Sequence, residues 1–159
     1  MAKIEIVPGT LAQVHQIIDN LREIDRVELT ITSNDPAAAV LNGWAQSSYR
    51  RIFTADGAPI VVYGVVPCPF LEGGGSPWMV ATPEIDSVPR EFLVASRREI
   101  EAMRAGFTDL RNATHKDNAT SLNWLRWLGF RISTEPVGPG GVLRMFSMPG
   151  LPGAEVNHV

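Results

Sequence analysis

The sequence predicts a mixed α/β fold, with one twisted, mostly antiparallel sheet and helices on both faces. Three observations carry this prediction. Short runs rich in β-branched residues alternate with stretches in which apolar residues recur at helical spacing. Glycine, proline and Asx residues stand at the changes of period. The second half then runs strand, long helix, strand, helix, an order that favours helices on both faces of a mixed sheet. The chain has 159 residues, which suits one domain, expected over 1–148 with a tail over 149–159. A chain of this size buries about 68–70% of its unfolded surface, enough for one proper core.

The elements follow in order. Lys3 to Val7 is a first strand, ended by Pro8-Gly9. Thr10 is a helix cap with Gln13 completing a capping box. Leu11, Val14, Ile18 and Leu21 form the apolar stripe of a helix expected to reach about Arg26. Asp35-Pro36 starts a second helix, Ala37 to Gln46, because an acidic cap and a proline at the first helical position suit a helix start. Arg50 to Thr54 and Pro59 to Val65 are strands joined across Asp56-Gly57, a hairpin turn. Gly73 to Pro77 breaks the pattern as a flexible loop, and Trp78 to Ala81 is the next strand. Ser87 and Pro89 open the longest helix, with Phe92, Ser96, Glu99 or Ile100, Met103 and Phe107 setting its period. Asp109 to His115 is a strand, and Asn118 opens a short helix that stops at Gly129. Phe130 to Thr134 and Val142 to Met148 form a final pair of strands.

Composition narrows the functional classes. Net charge is −3, which argues against a broad non-specific grip on nucleic acid, since that needs many cations facing phosphates. Cys68 is the sole cysteine, so no intrachain disulfide forms. No apolar run approaches the ~20 residues that span a bilayer. The first residues lack the basic and apolar regions of a secretory leader, so a soluble protein inside the expressing cell is expected.

The stretch from Asp117 to Phe130 carries a resemblance. Asn118 caps the helix, its apolar residues face the core, and Gly129-Phe130 turns into the next strand. Asn118 and Gly129 stand eleven apart. With the element order, this resembles the GNAT (N-acetyltransferase-like) superfamily and implies the GNAT fold. The resemblance also implies a cofactor, acetyl-CoA, in an active member. Met79, Val80 and Ala81 would then supply backbone contacts to pantetheine, and Asn118 a side-chain contact. A narrower resemblance covers roughly residues 57–148. The strand Pro59 to Val65, the aromatic strand Trp78 to Thr82, Arg90-Glu91-Phe92, the Asn118 helix and Leu143 to Ser147 are similar to a small acetyltransferase-like internal virion protein of short-tailed phages.

Two departures from an active acetyltransferase stand out. The resemblance places the pyrophosphate on a glycine-containing loop ahead of the long helix, where backbone N–H groups and the helix dipole hold it. The matching stretch, Thr82 to Arg90, has no glycine, two prolines without N–H, and the carboxylates Glu84 and Asp86. Many family enzymes also place a tyrosine seven residues after the Asn as proton donor to the leaving thiolate. Leu125 stands there and has no proton to give.

Other residues have plainer readings. His115 lies beside the capped helix and is read as a hydrogen-bonding surface histidine at a strand end, with a general base as the alternative. His15 and His158 lack metal-ligand spacing, so no metal site is expected. Cys68, between Pro67 and Pro69, has no neighbouring base and is read as a packed or tolerated thiol. Trp124 and Trp127, three apart, are read as core, with a partner-binding face as the alternative. Arg97, Arg98 and Arg104 are read as a solvated helix face.

The leading expectation is a phage virion-associated protein that uses a catalytically degenerate GNAT fold as an interaction scaffold, with no catalytic residue and no cofactor. Its partners would be other phage virion proteins at the portal, tail or core, with no membrane and no strong nucleic-acid signal. It would be located in the virion, and in the host cytoplasm during assembly. The alternative is an active acetyl-CoA-dependent N-acetyltransferase acting on a host protein or small amine. A third reading is an inhibitor that binds a host enzyme.

Overall fold

A computed structural model describes residues 2–68 and 72–151. It contains the strands β1 (Ile4–Val7), β2 (Tyr49–Ala55), β3 (Ala58–Pro67), β4 (Gly74–Ala81), β5 (Asp109–His115), β6 (Arg131–Ile132) and β7 (Leu143–Pro149). Its α-helices are α1 (Leu11–Asp19), α2 (Glu23–Thr32), α3 (Pro36–Gln46), α4 (Pro89–Ala105) and α5 (Ala119–Leu128). The strands form one seven-stranded sheet in the order β1-β2-β3-β4-β5-β7-β6. The β4–β5 pair is parallel and the β1–β2, β2–β3, β5–β7 and β6–β7 pairs are antiparallel, so the mixed, mostly antiparallel sheet matches the expected fold class. Two compact units make up the chain: Met1–Val66 with Trp78–Ala95, and Pro67–Pro77 with Ser96–Val159.

In the first unit, β1, β2 and β3 pair in sequence, and the β2–β3 turn runs through Asp56 (φ 51°) and Gly57 (φ 82°). Both faces of this sheet are covered, which explains the near-continuous apolar run of β3. Ile52 and Val62 face a core with Val14, Ile17 and Ile18 of α1 and Val40 and Trp44 of α3. Phe53, one residue on, points the other way and meets Phe92 of α4 edge to face, with ring centroids 5.4 Å apart. Leu11, expected in the α1 stripe, is exposed instead, and the buried stripe begins at Val14. Gly64 of β3 has no room for a side chain. A Cβ there would lie 2.7 Å from Tyr49 O and 2.8 Å from Ser47 Oγ. That Ser47 hydroxyl accepts a hydrogen bond from Trp78 Nε1 at 2.7 Å.

The single helix expected from Thr10 to Arg26 is two helices. The Thr10–Gln13 capping box opens α1 as predicted. The chain then breaks at Asn20–Arg22, and α2 starts at Glu23. The reason is tertiary. Arg22 N–H donates to Ala81 O of β4 at 2.9 Å, so it cannot serve the helix ladder, and Arg22 instead becomes the N-cap of α2.

The second unit pairs β5 with β7 and β7 with β6, all antiparallel. Ile100, Met103 and Phe107 keep the predicted period and are buried, as are Leu110, Leu125, Leu128 and Met148. Phe130 and Phe146 meet edge to face at 5.2 Å. The last strand pair is shorter at β6 than expected, Arg131–Ile132 only. Pro149 closes β7, and Gly150 and Leu151 donate to Thr108 O and Arg104 O. The rest of the expected tail, 152–159, lies outside the described residues.

The glycine run is also different from its reading. Gly74 to Pro77 is strand, not loop, because the backbone there finds partners at both sides. Cys68 N–H donates to Gly74 O at 2.8 Å, and Gly74 and Gly75 pair in parallel with Asp109 and Leu110. Two side-chain-free residues cost little steric room in a crowded ladder, although they weaken it entropically.

Candidate functional site: the β4 edge, the turn ahead of α4 and the α5 cap

The residues expected to matter lie on three local structures. The first is the C-terminal half of β4. Thr82 N–H donates to Ile60 O at 2.8 Å, so Thr82 faces β3. Consecutive strand residues send their N–H and C=O to opposite edges, so Ala81 faces away from β3. Both of its backbone groups are engaged there. Ala81 N–H donates to Asp25 Oδ2 at 2.9 Å, and Ala81 O accepts from Arg22 N–H at 2.9 Å. Asp25 also accepts from Arg22 Nε at 2.9 Å and from Nη2 at 2.9 Å, a bidentate pair. The Asp25 side chain is fully buried and that of Arg22 is 7% exposed. Neither Arg22 nor Asp25 stood out in the sequence. The only available signal was an i,i+3 pair of opposite charges interrupting an apolar stripe.

The second is the stretch ahead of α4. It folds as a 3-10 turn over Pro83–Ser87. Its amides are used internally: Ile85 N–H donates to Thr82 O and Val88 N–H to Ile85 O, both at 3.2 Å. Glu84 and Asp86 are exposed on the turn, while Ile85 and Val88 are buried beneath it. Pro89, the first residue of α4, has no N–H to offer an anion.

The third is the cap of α5. Asn118 is buried at 1% exposure, and its Oδ1 accepts from Ser121 N–H at 3.2 Å. Its Nδ2 has no acceptor among the described residues. Gly129 ends the helix at φ 100°, a left-handed conformation, with Phe130 N–H reaching back to Leu125 O at 3.0 Å. Leu125 is buried at 2% exposure among the helix's core-facing residues. His115 is not a surface residue as expected. It is buried, and its Nδ1 accepts from Asp117 N–H at 3.0 Å in a tight turn into α5.

Trp127 is the other correction. It is 45% exposed rather than core, because the buried face of α5 is Ser121, Leu125 and Leu128. The Arg97 guanidinium lies 4.3 Å over its ring and donates to Trp127 O at 2.9 Å. Arg97 is thus a stacking residue on the solvated face of α4. Cys68 lines a cleft with Ser76, Asp109, Arg111, Asn112 and Met145, in which the Asp109 carboxylate accepts from Arg111 Nε at 3.2 Å. Among the described residues, no helix is long and apolar enough to cross a membrane.

The fit of acetyl-CoA is decided by these groups. Pantetheine contacts at Ala81 require its N–H and C=O, and both are taken. A pyrophosphate ahead of α4 meets Pro83 and Pro89, which have no N–H, the amides of Ile85 and Val88 already donated to carbonyls, and the carboxylates Glu84 and Asp86. Asn118 has a spare donor, but at 1% exposure the side chain is out of a ligand's reach. At Ala81 and in the turn ahead of α4, the groups present do not fit the cofactor.

No protein-family model matches the chain, and no curated protein matches it in sequence. Solved structures do resemble it. The ribosomal-protein-S18-alanine N-acetyltransferase of Escherichia coli is 16% identical with a TM-score of 0.57, covering 94% of each chain. An acetyltransferase of GNAT family from Streptococcus pneumoniae is 10% identical with a TM-score of 0.59, over 92% of this chain and 99% of that one. An N-acetyltransferase from Staphylococcus aureus is 11% identical with a TM-score of 0.63, over 92% and 98%. At these identities the likeness is one of architecture: the chain has the fold of the GNAT N-acetyltransferases.

Proposed function

We propose that the chain is a GNAT-fold protein without acetyl-transfer chemistry, used as a protein-interaction scaffold. Following its resemblance to the internal virion protein of short-tailed phages, it is assigned to the phage particle, with portal, tail or core proteins as partners. The observation that carries the non-enzymatic reading is the turn ahead of α4. Its amides at Ile85 and Val88 are spent on internal carbonyls, and Glu84 and Asp86 repel a pyrophosphate at close range. Buried Leu125 supports it, since a hydrocarbon protonates no thiolate. A fold outlives its chemistry readily, so architecture alone assigns no activity.

Two measurements test the reading. Mass spectrometry of purified particles is expected to find the protein, and its absence would sink the virion assignment. Calorimetry with acetyl-CoA is expected to show no binding at ligand concentrations near ~1 mM, a free energy of only about −4 kcal/mol. Micromolar binding with transfer to an amine would instead establish the second reading, an N-acetyltransferase acting on a host protein or small amine. What favours that alternative is the set of structural neighbours, which are acetyltransferases by name.

A further inference from the structure

The edge of β4 facing away from β3 is paired, and its partners come from this chain. Ala81 N–H finds an acceptor in Asp25 Oδ2 and Ala81 C=O finds a donor in Arg22 N–H, each at 2.9 Å. One donor and one acceptor delivered to the same strand residue is what an added strand provides. It is also what the amides of pantetheine would provide in an acetyltransferase that the chain resembles. The bidentate Arg22–Asp25 contact holds the acceptor in place, and burial of both side chains keeps water from competing for it.

We infer that the Arg22–Asp25 pair is a built-in plug, which occupies the cofactor edge of β4 at Ala81 and closes it to coenzyme A. The inference deepens the non-enzymatic reading and rests on it for the identity of the edge. Its location makes sequence sense. The break between α1 and α2 delivers both residues, and Arg22 contributes through its backbone and its side chain at once. A ligand entering this edge would have to displace both hydrogen bonds to Ala81 and then leave a buried carboxylate short of one donor.

Amide hydrogen exchange by NMR on the full chain tests the plug directly, with Val62 of the same sheet as reference. In the wild type, Ala81 is expected to exchange as slowly as Val62, and its signal to stay put when acetyl-CoA is added. In Asp25→Ala, Ala81 is expected to exchange at least about tenfold faster relative to Val62, because the amide has lost its acceptor. Unchanged exchange at Ala81 in that variant would overturn the inference, as would a wild-type Ala81 signal that moves on saturation with acetyl-CoA. If Asp25→Ala loses protection at Val62 as well, it has unfolded, and the wild-type titration decides. Acetyl-CoA binding that leaves Ala81 protected and unshifted would uphold the plug while refuting the proposal that the chain binds no cofactor.

Discussion

Replacing Asp25 by alanine should be among the most damaging single changes in the first unit. The Asp25 side chain accepts hydrogen bonds at 2.9 Å from Arg22 Nε, Arg22 Nη2 and Ala81 N–H, among others. Removing it leaves the Arg22 guanidinium with 7% exposure and no counter-charge at its side. Breaking a buried pair by deleting one partner costs about 3–5 kcal/mol, because the other charge stays desolvated. The orphaned Ala81 amide falls within that cost, at about 1–3 kcal/mol. Against a total of ~5–15 kcal/mol for a domain, the loss removes about a fifth or more of the stability. It should lower the melting temperature by roughly 6–20 °C for a chain of this length. Urea unfolding followed by circular dichroism reads the change in midpoint at constant slope. The double variant Arg22→Met with Asp25→Leu is the control. It removes both charges together and should be milder than Asp25→Ala by about 2 kcal/mol, since no buried ion is left alone. A cost below about 1 kcal/mol for Asp25→Ala, or simple additivity in the double variant, would refute the reasoning.

Other outcomes follow from the same geometry. Gly64→Ala should destabilise by about 1–3 kcal/mol in urea melts, because the new Cβ meets the Tyr49 carbonyl and the Ser47 hydroxyl and the backbone must shift. Trp127→Ala should cost under about 1.5 kcal/mol, the value of a half-exposed ring and one stacked guanidinium, whereas Leu125→Ala should cost about 2–5 kcal/mol. A reversed order in thermal melts would contradict the assigned faces of α5. Leu125→Tyr, which restores the residue that many GNAT enzymes place there, should lose about 1–3 kcal/mol to overpacking and gain no acetyl transfer in a thiol-release assay.

Where a signal was local, the residues themselves carried it. Thr10 and Gln13 form the capping box, Asp35 caps α3 ahead of Pro36, Asp56-Gly57 makes the hairpin, and Asn118 and Gly129 bracket α5. Each of these works through hydrogen bonds or φ angles within a few residues, so sequence spacing suffices. The period of α4 was equally clear, because one stripe of a long helix is buried throughout. The chain by itself therefore determined the fold class, the order of elements apart from the break between α1 and α2, the two prolines and two carboxylates of the turn ahead of α4, and the hydrocarbon at position 125.

Tertiary structure alone decided the rest. Gly74 to Pro77 became strand because backbone at Cys68, Asp109 and Leu110 satisfies it. Trp127 turned to solvent because Ser121, Leu125 and Leu128 had already claimed the buried face of a ten-residue helix. The helix from Thr10 broke at Arg22 because Ala81, far along the chain, offered its amide and carbonyl to Asp25 and Arg22. No spacing rule reaches across that distance. A buried charge pair on a strand edge exists only once the strand is there to receive it.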